Sequence, residues 1–112
     1  MDSADLQDAA VNKLIGIYNG ASAGSARQTS AILALGAAGG DSAVRYLIQI
    51  YEGSSAGSNR QTAAIQALGA AGGGLALSAL FQIYDGASAG SKRQTESILA
   101  IGNAGRHSVV TL

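Results

Sequence analysis

Cysteine, proline and tryptophan are absent from this 112-residue chain, which carries one histidine and one phenylalanine. Without cysteine there is no disulfide framework, no thiolate metal site and no thiol redox chemistry, and one histidine cannot build a histidine-rich metal centre. Charge is scarce as well: charged residues make up 12%, about half of the roughly 25% usual in soluble domains. Seven basic residues balance seven acidic ones, so no global field draws the chain toward nucleic acid or an anionic membrane. A surface with so few charges is weakly defended against association. The length allows one small domain, residues 1–112.

The N-terminus, Met1 to Asp5, is acidic where a secretory signal needs a basic start. No signal peptide is read, and the cytoplasm is the default compartment. Gln61 to Tyr84 carries no charge, but Gly72, Gly73 and Gly74 interrupt it and Gln66 and Gln82 lie inside it. A membrane span is therefore not expected.

What the chain has in abundance is repetition. Gly20 to Thr29 returns at Gly53 to Thr62 and again at Gly86 to Thr95, a period of 33 residues, and 22 of 33 positions agree between Gly20–Glu52 and Gly53–Asp85. Tandem copies of this length are usually pairs of antiparallel helices whose apolar faces need neighbours to be buried. The repeat units are 20–52, 53–85 and 86–112, preceded by a half-repeat over 1–19.

Each unit reads as helix A, a glycine break, helix B and a small-residue loop. Ser-x-x-Gln at Ser25–Gln28, Ser58–Gln61 and Ser91–Gln94 predicts a capping box, the serine accepting a first-turn N–H and the glutamine reaching back. The buried stripe of helix A is Ala31, Ile32, Leu35 and Ala38, with Ala64, Ile65, Leu68, Ala71 and Ser97, Ile98, Ile101, Ala104 as its copies. Glycines 39–40 and 72–74 end it, and Asp41 is expected to cap helix B. The helix B stripe is Val44, Leu47, Ile48, Ile50 and Tyr51, matched by Leu77, Leu80, Phe81, Ile83 and Tyr84. Asp8–Tyr18 aligns with Asp41–Tyr51, so the first helix reads as a B helix without an A before it. His107–Leu112 aligns with Asp41–Tyr46 and begins another B helix.

Arg27-Gln28-x-x-Ala31-x-x-Ala34-Leu35-Gly36-x-x-Gly39, followed by Ser42-Ala43-Val44-x-x-Leu47-Ile48-x-x-Tyr51, resembles the HEAT-like repeat of the phycobilisome (PBS) lyase type over nearly the whole chain. It departs at Arg27-Gln28, where the family usually has Val-Arg, and at Tyr46 and Ala79, where it commonly has proline. The family's loop between units is also shorter and more acidic than the one here. The resemblance implies an all-α fold, an α-solenoid of tandem helical hairpins used for protein contacts. Some members act on chromophores or carry iron in His-Glu pairs, and no such pair exists here, so no cofactor and no metal are expected.

Gly86 to Lys92 imitates a phosphate loop, but its glycine spacing is one residue short and the lysine position is Ala26 or Asn59 in the other copies, so it reads as a turn. Arg27, Arg60 and Arg93 form a row that could grip an acidic partner. The simpler reading pairs each with a carboxylate such as Glu52 or Asp85. Asp2, Asp5 and Asp8 read as helix N-terminal charges and His107 as a solvated side chain. No catalytic set is found, and an enzyme is not expected. The expected role is self-association end to end into a filament, with Leu14, Ile17, Val109, Val110 and Leu112 at the joint. The alternatives are a monomeric scaffold for another protein and, further off, a chromophore-lyase-like accessory protein. No nucleic-acid or membrane partner is expected.

Overall fold

The computed structural model describes residues 2–107. They form six α-helices and no strand: α1 (Ser3–Gly20), α2 (Ala26–Ala38), α3 (Gly40–Glu52), α4 (Asn59–Ala71), α5 (Gly73–Gly86) and α6 (Lys92–His107). The expected A helices are α2, α4 and α6, and the B helices are α1, α3 and α5. The first begins earlier than its copies because Asp2 caps it, accepting the Asp5 N–H at 2.9 Å, and because Gln7 stands where α3 has Gly40.

The expected capping box is present with one change. Ser25 Oγ accepts the Gln28 N–H at 3.1 Å, but Gln28 Oε1 accepts from Gly24, one residue beyond the cap, at 2.8 Å. The Ser25 N–H is already committed to the Ser22 carbonyl. Ser58, Gln61 and Gly57 repeat the arrangement, as do Ser91, Gln94 and Gly90. Gln28 and Gln61 are buried by it, and the reach requires the preceding glycine to turn back at φ 75°.

Asp41 does not cap α3. Gly39 serves as the last cap of α2 and the first of α3, at φ 70° and ψ −169°, a region open essentially to glycine alone, and no side chain caps α3. With one residue between the helices there is no place for a capping side chain. Asp41 sits in the first turn of α3, where its charge still meets the positive helix end.

Packing is asymmetric. α4 lies directly between α2 and α6, whereas α1, α3 and α5 barely touch one another and rest on the A helices. Small residues explain the difference. A Cβ built at Gly36 would lie 2.5 Å from the Ala67 carbonyl oxygen, and one at Gly69 would lie 2.9 Å from Ala100 Cα. The helices can meet at this distance only because no side chain intervenes. The core then runs through the sheet of A helices and the inward faces of the B helices: Ile32, Leu35, Leu47, Ile65, Leu68 and Leu80 are its largest fully buried members. Ser97 replaces alanine in the third copy and satisfies its hydroxyl by donating to the Gln94 carbonyl at 2.7 Å. Among the described residues, no buried side-chain nitrogen or oxygen lacks a partner, as a native interior requires.

Gly36→Ala is expected to destabilise the protein by about 1–3 kcal/mol through overpacking against backbone. Gly102 occupies the same repeat position but has nothing within 4 Å, so Gly102→Ala is expected to stabilise its helix by about 0.5–1 kcal/mol. Urea denaturation of both variants in dilute solution checks the contrast.

Candidate functional site

Arg27, Arg60 and Arg93 make the same kind of contact in their three units, and the partners are backbone carbonyls, not carboxylates. Arg60 Nη2 donates to the Gly53 carbonyl at 2.7 Å, Arg93 Nη2 to the Gly86 carbonyl at 2.7 Å, and Arg27 Nη2 to the Gly20 carbonyl at 3.4 Å. Glu52 and Asp85, the expected partners, are passed over for the carbonyls where α1, α3 and α5 end. None of those helices has a basic residue in its last turn. The next A helix supplies the cation that its exposed carbonyls and negative dipole end favour. Arg60 Nε also donates to Ser54 Oγ at 3.1 Å, and Arg93 Nη1 to the Tyr51 hydroxyl at 3.4 Å.

The repeat permits a direct comparison of one position in several environments. Ile32 and Ile65 are 0% and 1% exposed, yet their copy Ile98 on α6 is 51% exposed. Ile32 and Ile65 lie on α2 and α4, each of which is followed by a B helix and a further A helix, whereas α6 is the last described helix. On α3 and α5, Ala43, Leu47, Ile50 and Ala76, Leu80, Ile83 are buried, whereas their copies on α1 are exposed at Ala10 and half-buried at Leu14 and Ile17. Among the described residues, α1 is the first helix in the order. Phe81 on α5, the copy of half-buried Ile48, is 51% exposed, and Tyr84 is 39% exposed. Two uncovered faces therefore stand at opposite ends of the helix order. One comprises Leu14 and Ile17, the other Phe81, Tyr84 and Ile98.

A hollow on the first face is lined by Lys13, Gly16, Ile17, Gly20 and Arg27. These are the repeat positions of Ala79, Gln82, Ile83, Gly86 and Arg93, which close the groove between α3 and α5 from the α5 side. The first face thus carries one half of such a groove, and the other half has no counterpart among the described residues.

Leu14 and Ile17, expected from the sequence, lie on this face. Val109, Val110 and Leu112, and the side chain of His107, lie outside the described residues. Ile98 and Phe81, read from the sequence as part of the buried stripes, are exposed, because their neighbours differ from those of Ile32, Ile65 and Ile48. Among the described residues, no group of three or more His, Asp or Glu side chains is brought together as metal ligands, and no helix is long and apolar enough to cross a membrane. Comparison of the chain with protein-family models, curated proteins and solved structures finds no match.

Replacing Arg60 by Gln is expected to cost about 0.5–1 kcal/mol by removing a cation from a helix C-terminus. The deficit should shrink as salt is raised, which thermal denaturation at two ionic strengths will show.

Proposed function

We propose that the chain is a non-enzymatic α-solenoid of HEAT-like hairpins that self-associates end to end into a filament. One observation carries this: Leu14 and Ile17 on α1 are less buried than their copies on α3 and α5, and Ile98 on α6 is exposed where its copies on α2 and α4 are buried, so apolar positions that are covered in the middle of the helix order are open at both ends of it. The two faces are the two halves of a contact the chain makes twice within itself. The order B, A, B, A, B, A lets α1 of one copy follow α6 of another in register. Because the two faces differ, the contact is heterologous and continues unless the rotation closes a ring.

The details of the internal contact extend to the joint. Gly36 meets Ala67 and Gly69 meets Ala100, so Gly102 would receive Ala34 of the next copy. Tyr46 donates its hydroxyl to Asn19 Oδ1 at 3.0 Å. The copies of these positions at the joint are Lys13 and Asp85, a cation and an anion of similar reach. Arg93 reaches Tyr51 within the chain, and Arg27 of the next copy has the same relation to Tyr84.

Purified protein is expected to form long thin filaments under negative-stain microscopy, with scattering that grows with concentration. Leu14→Asp with Ile17→Asp should abolish them by burying unpaired charge at the joint, helicity being verified by circular dichroism. A discrete monomer of the unaltered chain at high concentration would instead favour a scaffold that binds another protein along its grooves. Lys13→Glu and Asp85→Lys are each expected to weaken assembly, and combining both in one chain should restore it, because opposite charges meet again with their places exchanged.

A further inference from the structure

The groove between α1 and α3 is filled from within. The ring of Tyr46 stands edge-on against Tyr18, centroids 5.8 Å apart and planes at 87°, and its hydroxyl donates to Asn19. One repeat later the residue in Tyr46's place is Ala79. What the missing ring leaves is a hollow of about 160 Å³ between α3 and α5, walled by Ile48, Tyr51, Leu68, Ala79 and Ile83, with Glu52 at its rim. Glu52 is the copy of Asn19 and Tyr51 of Tyr18, and both line the hollow, so an aromatic ring and a hydrogen-bond acceptor stand at the repeat positions of those that meet the Tyr46 side chain. Arg93, donating to the Tyr51 hydroxyl, steadies that wall.

We propose that this hollow binds a small monocyclic phenol, its ring taking the place of the Tyr46 ring and its hydroxyl donating to the Glu52 carboxylate. The size agrees, since an aliphatic-walled cavity of about 150 Å³ accepts a benzene ring. The geometry agrees, since an edge-on ring pair is favourable. The acceptor is also stronger than the one Tyr46 uses, a carboxylate in place of an amide. The site lies within one chain and does not depend on assembly.

Ligand-observed fluorine NMR with 4-fluorophenol tests it on the full chain. Saturable broadening is expected, with fluorobenzene binding about threefold or more weakly for want of the hydrogen bond. Ala79→Tyr should abolish binding and raise the melting temperature by supplying the ring covalently. Ala79→Leu fills the same space without a polar group and serves if the tyrosine variant does not fold. Glu52→Leu should remove the preference for the phenol over fluorobenzene. The proposal is overturned if 4-fluorophenol does not saturate, if it binds a folded hollow-filling variant equally well, or if Glu52→Leu leaves the preference unchanged. Displacement by N-acetyltyrosinamide at lower concentration than by unlabelled phenol would assign the hollow to a protein tyrosine and overturn it too.

Discussion

The backbone contact at Gly36 and Gly69 governs the rest of the molecule. With no side chain at either position, α2, α4 and α6 approach until Ala67 and Ala100 touch glycine backbone, and these three helices become the tight side of the packing. The B helices stand further apart: the rings of Tyr18 and Tyr46 meet between α1 and α3, and Ile48 and Tyr51 line the groove between α3 and α5. One side closes and the other opens. The opened side is where grooves form, and how each groove is filled becomes a matter of single residues.

The same economy of space decides how helix ends are satisfied. One glycine joins α2 to α3 and another joins α4 to α5, so neither B helix has a residue free to cap its start. The long loops before α2, α4 and α6 do have room, and there serine, glutamine and a positive-φ glycine satisfy the exposed amides. At the other end of each B helix, the carbonyls are met by an arginine two residues into the next A helix. Loop and cap therefore form one unit, in which Ser58, Arg60 and Gln61 each meet a different orphan group of the same connection.

Much of this was legible in the sequence because it was written three times. The period of 33, the capping serines and the stripes through Ile32, Leu35, Leu47 and Leu68 follow from spacing alone, and spacing survives tertiary structure when each helix has the same neighbours. What escaped was geometry and environment. Asp41 looks like a cap until the turn proves to be one residue long. Arg60 looks like an ion-pair partner until the nearest acceptor proves to be a carbonyl. Ile98 resembles Ile32 and Ile65 in every respect except what lies over it, and no pattern within one unit records that. The exchange of Tyr46 for Ala79 is visible as a mismatch between copies, but only the ring seated against Tyr18 reveals that the mismatch is a hollow.

The distribution of charge bears on the proposed joint. Within the chain, the position of Lys13 is held by Tyr46 or Ala79, and that of Asp85 by Asn19 or Glu52. The contact made inside the chain thus uses neutral or singly charged pairs, whereas the two positions left at the ends are fully charged and opposite. On a separate molecule both charges lie in water, where they cost nothing in desolvation and oppose haphazard clustering of the nearby apolar faces. Brought together in register they attract, and brought together in the wrong sense, end to like end, they repel. The apolar residues Leu14, Ile17, Phe81 and Ile98 would supply the strength of such a contact, while Lys13 and Asp85 would supply its direction.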